Sequence, residues 1–210
     1  MAQAQSIPGG GAIPASAAKT ADAAATAMVT AAVKADPAPL GLAAFALTTF
    51  VLSVVNAGFV SGSDLALVVA LALGYGGLAQ VLAGMWEFRN GNTFGATAFT
   101  SYGGFWLSFA AFVWLFQGKD ASGAVGAYLL AWGVFTFYMW LATLRHARPV
   151  MVVFLLLWIT FAVLGIGALS GNGSITNLGG GLGILTAIAA WYASARTIIN
   201  EAFGRAVLPG

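Results

Sequence analysis

The recurrence of long apolar runs is the feature that most constrains what this chain can fold into. Runs of about 20 residues, the length that a helix needs to cross the hydrocarbon core of a bilayer, occur at about 40–60, 65–86, 96–117, 123–144, 149–169 and 178–200. They lack the alternation of apolar and polar residues that marks barrel strands, and they are too long for such strands. The pattern therefore predicts an all-α integral membrane protein with six transmembrane helices.

The charge composition supports this prediction. Only 7% of the residues are charged, whereas soluble domains carry about 25%, so most of the surface must face lipid rather than water. The Lys and Arg residues are scattered singly, which argues against a nucleic-acid partner. The chain has no cysteine, which excludes a disulfide framework, a thiol nucleophile and a cysteine metal site.

The distribution of Lys and Arg predicts the orientation of the helices, because cytoplasmic loops are enriched in these residues. With six spans, one side of the membrane holds Lys119 alone, and the other holds Lys19, Lys34, Arg89, Arg145, Arg148, Arg196 and Arg205. We therefore expect both termini in the cytoplasm. Residues 1–35 are expected to form a cytosolic tail that is partly helical or mobile, residues 36–204 the membrane domain, and residues 205–210 a short cytosolic C-terminus.

The predicted spans contain almost no ionisable side chains, which are the usual mark of pumps and ion-coupled carriers. The single histidine, His146, lies in a predicted loop, and no lysine follows Lys119. Proteases with an intramembrane Ser–His pair and retinal proteins are therefore disfavoured, and we expect no enzymatic activity, no metal and no cofactor. Three tryptophans near predicted helix ends, Trp86, Trp106 and Trp140, are expected to anchor the membrane interface.

Neutral polar residues recur in the predicted spans, notably in the first and third, beside aromatic residues. Such a lining suits a passage for a weakly bound small solute, because conduction requires easy exit as well as entry. For Tyr102, two interpretations stay open on the residues alone: a packed aromatic ring or a pore constriction. Glycine clusters in the second and sixth spans favour close helix packing within one protomer.

Two strings extend this interpretation. Asp36-Pro-Ala-Pro-Leu-Gly-Leu42 precedes the first span, and a long block continues from Tyr75-Gly-Gly-Leu-Ala-Gln80 through Met85-Trp-Glu87-Phe88 to Thr100-Ser-Tyr102-Gly103. Further matches are Trp132-Gly-Val-Phe-Thr136, Gly171-Asn172 and Asn200-Glu-Ala-Phe-Gly204-Arg-Ala-Val-Leu-Pro209. Over about residues 36–209 the chain resembles the acetate uptake transporter family, which includes bacterial succinate–acetate permeases and yeast acetate and ammonium-export proteins. The family has Asn where this chain has Asp36.

This resemblance implies a homohexamer in the cell membrane in which each six-helix protomer has its own pore for acetate and related short carboxylates, such as succinate. It implies a hydrophobic constriction formed by Phe45, Tyr102 and Leu157, with Leu155 or Leu156 as alternatives to the last. By position in the matched strings, the substrate pathway would include Leu40, Thr48, Gln80, Asn92 and Thr93. Asp36 and Glu87 would lie at the cytoplasmic mouth as candidate proton sites.

Other functions remain compatible with the residues themselves. A channel for a neutral solute such as urea, ammonia or water would also have an uncharged lining, and a non-transporting receptor or assembly factor is a third interpretation. The family is described both as anion channels and as proton-coupled permeases. The absence of a mid-membrane carboxylate favours the channel description here.

Overall fold

A computed structural model describes residues 19–20, 35–116 and 121–210 of the chain. Two compact units are present, Met1–Ala35 and Asp36–Gly210. In the first, only Lys19, Thr20 and Ala35 are described, the first two of them helical, so the predicted tail otherwise lies outside the described residues. The second unit contains six long helices: α1 (Ala38–Asn56), α2 (Leu65–Asn90), α3 (Thr93–Phe116), α4 (Ser122–Thr143), α5 (Arg148–Ser170) and α6 (Gly173–Phe203).

The prediction of six helices is confirmed, since all six are long and apolar enough to cross a membrane. The sequence placed the starts of α3 and α6 too late, and the predicted connection over residues 170–177 was wrong. Asparagine caps begin both helices: Asn92 Oδ1 accepts from Gly95 N at 3.1 Å and Asn172 Oδ1 from Ser174 N at 3.0 Å. A left-handed glycine, Gly91 or Gly171, ends the helix before each cap, which makes both turns tight.

The Pro-Ala-Pro string forms the first turn of α1. Few N–H groups are present there because Pro37 and Pro39 have none. One of the remaining groups, Ala38 N, donates a hydrogen bond to Asp36 Oδ1 at 2.9 Å. From the other end of the chain, Ser194 of α6 donates to Pro39 O at 2.8 Å in a buried contact. Gly41 then lies against the Phe99 ring, where a Cβ would come within 2.6 Å of ring carbons. The string therefore fixes where α1 enters the bundle.

Helix α2 changes its winding halfway. Gly74–Ala79 is π-helical, between the α-helical segments Leu65–Leu73 and Gln80–Asn90. Here α2 packs closely on its neighbours: a Cβ on Gly76 would lie 2.6 Å from Thr48 Oγ1, and one on Gly77 would lie 2.6 Å from a Leu107 methyl group. Short π-helical segments of this kind occur frequently at functional sites.

The helices pack in one series with a gap between its two ends. Helix α4 packs along α5, α5 along α6 and α6 along α1, and α2 packs on both α1 and α3. The backbone of α3 stays apart from α4 and α5, and large aromatic side chains bridge the gap. Most glycines of the α2 and α6 clusters lie close to α1, α3 or α5, which supports their expected role in close packing within the protomer. These glycines are Gly76, Gly77, Gly84, Gly179, Gly180 and Gly183.

Candidate functional site

A large cavity of about 500 Å³ lies in the gap between α3 and the helices α4 and α5. Its walls come from all six helices and are mostly apolar, and α3 contributes four aromatic residues to them. Hydroxyl groups interrupt the apolar walls, among them those of Thr49, Ser53 and Thr160. The cavity extends from the bundle centre toward the connections that follow α1, α3 and α5. At about 30 Å³ per water molecule, it is large enough for a small solute and part of its hydration.

A small cavity of about 20 Å³ lies next to the large one. Phe45 and Leu157 line both cavities, and Tyr102 lines the small one. The three residues predicted as a constriction therefore all line the small cavity, and two of them also line the large one. Leu155 and Leu156, the alternatives to Leu157, line neither cavity. A space of this size holds about one water molecule, so a carboxylate can pass only if side chains move.

Tyr102 lies at the centre of an aromatic cluster. Its ring centroid is 5.8 Å from that of Phe45, 5.9 Å from Trp132, 5.6 Å from Phe135 and 6.0 Å from Phe154. Its hydroxyl group forms a buried hydrogen bond of 2.9 Å with Thr136 Oγ1. The ring of Tyr102 is therefore packed, as the first interpretation requires, and its role as a pore constriction stays a prediction.

Gln80 adds the amide group nearest to this constriction. It follows the π-helical segment of α2 and lines the small cavity together with Phe45 and Tyr102. The side chain is only 1% exposed, and its Oε1 has no hydrogen-bond partner among the described residues. Because buried polar atoms are nearly always satisfied, the unpaired Oε1 beside a cavity can accept a hydrogen bond from a solute that carries an N–H or O–H group.

A buried carboxylate lies at the α2–α3 turn. Glu87 is 2% exposed, and its Oε2 accepts from Asn92 Nδ2 at 2.9 Å. Its Oε1 has no partner and lies so close to Gly95 that a Cβ there would come within 2.8 Å. Asn92 thus caps α3 with its oxygen and holds Glu87 with its nitrogen. Neither residue lines either of the two cavities. Because the pair lies at the α2–α3 turn, it is at the end of the bundle where α1 begins.

Several predicted pathway residues also lie outside the walls of the two cavities. Leu40 is 45% exposed, Thr93 is exposed, and Thr48 is buried with its hydroxyl donating to Ala44 O at 2.9 Å. Thr48 instead packs against the π-helical segment of α2. A direct role in a pathway stays a prediction for these residues and for Asn92.

The structure corrects one expectation and adds residues that the sequence did not single out. Trp106, expected at the membrane interface, is 2% exposed and lines the large cavity because α3 turns this face inward. Trp86 is 59% exposed with the Arg89 guanidinium 5.8 Å from its ring centroid, as interfacial anchoring requires. The sequence pointed to Thr136 only as the last residue of the string Trp132-Gly-Val-Phe-Thr136, which resembles the family. Its contact with Tyr102 joins residues of different helices, which no local pattern indicates.

Six helices long and apolar enough to cross a membrane, with internal cavities among them, are typical of a membrane channel or transporter. The chain belongs to the GPR1/FUN34/yaaH family, whose model matches residues 18–208. It is 43% identical to the succinate-acetate/proton symporter SatP of Escherichia coli K12 over 83% of this chain and 94% of that protein. It is 44% identical to ammonia transport outward protein 2 of Saccharomyces cerevisiae, over 75% of this chain and 59% of that protein.

A solved structure of similar fold agrees with this assignment. The bacterial acetate channel SatP aligns with a TM-score of 0.80 and 42% identity, covering 84% of this chain and 98% of that chain. The family resemblance inferred from the two strings is therefore confirmed. Among the described residues, no group of His, Cys, Asp or Glu is arranged to hold a metal ion.

Proposed function

We propose that this protein conducts acetate and related short carboxylates, such as succinate, across the cell membrane through a passage within each protomer. Phe45, Tyr102 and Leu157 form its constriction, and Gln80 offers an amide beside it. The observation that carries the proposal is that all three side chains line the small cavity and that Phe45 and Leu157 also line the large one. Relatives named for acetate transport support the choice of substrate.

The chemistry of the walls favours weak binding and easy release. Among the residues that the structure describes, no Asp, Glu, Lys, Arg or His lines either cavity. A fixed cation would bind a carboxylate strongly in a low-dielectric interior, whereas hydroxyl and amide groups offer single neutral hydrogen bonds. A solute bound in this way can leave on either side, which favours a channel or facilitated diffusion over a tightly coupled carrier.

The placement in the membrane is part of the proposal. Both termini would be cytoplasmic, in line with the Lys and Arg distribution, so the large cavity would open toward the outside and Asp36 and Glu87 would lie at the inner mouth. Copies of the protomer would assemble into a homohexamer. The exposed apolar side chains of α2 to α6 are then covered by lipid or by neighbouring protomers, with no cofactor and no catalytic step involved.

The test is acetate flux into proteoliposomes, measured with a membrane voltage, with a pH gradient, and with neither. Flux driven by voltage alone is the expected result and would establish an anion channel. Flux that requires the pH gradient would instead indicate proton coupling or passage of the neutral acid, with Glu87, Asp36 and Glu201 as the first proton sites to replace. Flux at the rate of protein-free liposomes under all three conditions would refute the proposal.

The assignment of the constriction has its own test. Phe45→Ala removes a ring that lies 5.8 Å from Tyr102 and should raise the flux of butyrate relative to acetate. Leu155→Ala, on the same helix as Leu157 but outside both cavity walls, is the matched control. An unchanged butyrate-to-acetate ratio in Phe45→Ala would show that these side chains do not select the solute.

Passage of a neutral solute is the second candidate. The similarity to ammonia transport outward protein 2 and the uncharged cavity walls favour ammonia over urea or water within this alternative. Stopped-flow measurements on the same proteoliposomes separate the two functions. Ammonia-driven alkalinisation above the protein-free rate, without acetate flux, would replace the first proposal by the second.

A further inference from the structure

The hydrogen bond between Tyr102 and Thr136 has a defined direction. Thr136 donates its only hydroxyl hydrogen to Trp132 O at 2.7 Å, because a carbonyl oxygen can only accept. Tyr102 must therefore be the donor in its 2.9 Å bond to Thr136 Oγ1. The constriction thus contains a phenolic O–H donor that is occupied by a neutral acceptor from a neighbouring helix.

This acceptor is held firmly. Thr136 is fully buried, and its hydroxyl is fixed by the bond to the backbone of its own helix. Tyr102 is held against it by four aromatic neighbours, including Trp132 one turn before Thr136. Tyr102 therefore stays in the position that narrows the passage as long as its hydroxyl remains on Thr136.

We propose that this bond is the latch of the constriction, and that the carboxylate of the solute opens it by replacing Thr136 as the acceptor for the Tyr102 hydroxyl. This inference rests on the proposed carboxylate transport. A carboxylate oxygen is a stronger acceptor than a hydroxyl oxygen, since hydrogen bonds to ionised groups are shorter and about twice as strong. Thr136 is thus a positioning residue, and the exchange favours carboxylates over neutral solutes.

The latch predicts that two substitutions change the KM for acetate in opposite directions. Thr136→Val removes the competing acceptor but keeps the Tyr102 donor, so the solute no longer has to displace a partner, and the KM for acetate should fall by about threefold or more. Tyr102→Phe breaks the same bond from the other side but removes the donor, so the KM should rise by about threefold or more. A bond with a merely structural role would shift KM in the same direction in both variants.

The experiment measures saturable acetate flux in proteoliposomes for the wild type, Thr136→Val, Tyr102→Phe and the double variant. The double variant should match Tyr102→Phe, because Thr136 acts only through Tyr102. Thr136→Ser retains the acceptor and should restore the wild-type KM. Thr143→Val is the matched control: Thr143 is fully buried on the same helix and bonds to Trp140 O at 2.6 Å, and its loss should leave KM unchanged.

The outcomes separate this inference from the proposed function. Wild-type protein without acetate flux overturns the function itself. Flux in the wild type together with KM shifts of the same sign, or with no shift in either single variant, overturns the latch alone. If Thr136→Val does not assemble, as judged by size-exclusion chromatography, Thr136→Ser and Tyr102→Phe still decide: an unchanged KM in Tyr102→Phe would refute the exchange.

Discussion

The contact between α1 and α6 allows a sharp test of how the bundle is held together. A Cβ on Gly180 would lie 2.7 Å from Ala57 Cα and from the Asn56 carbonyl carbon, and closer still to Ala57 N. Ordinary contacts begin at about 3.4 Å, and every one of these neighbours is backbone. Gly180→Ala therefore forces α1 and α6 apart at this point, since no flexible side chain is available to yield.

The adjacent residue supplies the control. Gly181 has no neighbour within 4 Å of the position that a Cβ would take, so Gly181→Ala should be neutral or stabilise by about 0.5–1 kcal/mol through its helix propensity. Overpacking at Gly180 should cost about 1–3 kcal/mol, which corresponds to a fall of roughly 3–10 °C in the melting temperature.

Thermal unfolding of detergent-solubilised protein, followed by tryptophan fluorescence, measures both variants under identical conditions. The melting temperature of Gly180→Ala should fall, whereas that of Gly181→Ala should stay the same or rise. Equal melting temperatures for the two variants would refute the backbone-to-backbone contact between α6 and the end of α1.

Three further predictions concern the end of the bundle where α1 begins. Asp36→Asn keeps the oxygen that accepts from Ala38 N and should preserve stability, whereas Asp36→Ala should lose about 0.5–2 kcal/mol; equal melting temperatures would contradict the cap. Ser194→Ala removes the buried bond to Pro39 O and should lower the melting temperature by about 2–4 °C; no change would show that the bond does not hold α1. Asn200→Leu removes three bonds to residues 207–208, and faster hydrogen exchange at those two amides is expected; unchanged exchange would contradict the clamp.

The number and class of the helices could be predicted because the length of an apolar run is set by the thickness of the bilayer. The exact helix ends could not, since they depend on cap geometry at Asn92 and Asn172. The sequence also could not show that Leu157, rather than Leu155 or Leu156, lines the two cavities. In a run that is apolar on all sides, no periodicity shows which face points inward.

The candidate site was predicted only in part, for a related reason. Phe45 and Tyr102 came from matched strings, and the structure brings their rings together. The partner of Tyr102 lies 34 residues away on another helix, and the inward face of Trp106 depends on how α3 is rotated. Such contacts arise from helix packing, which the local sequence does not contain.

The π-helical segment of α2 has a consequence for comparing and redesigning chains of this kind. An extra residue in a regular helix rotates everything beyond it by about 100°, and the wider turn over Gly74–Ala79 accommodates such an extra residue. Gly76 is held against α1 by Thr48, and Gln80 is held in the small cavity. A one-residue deletion between them would turn one of these contacts away, whichever half of the helix moved. The π-helical segment therefore sets how the two halves of α2 are rotated relative to each other. A related chain with an alignment gap in this segment would direct different side chains of α2 into the passage, even if all its other residues were identical.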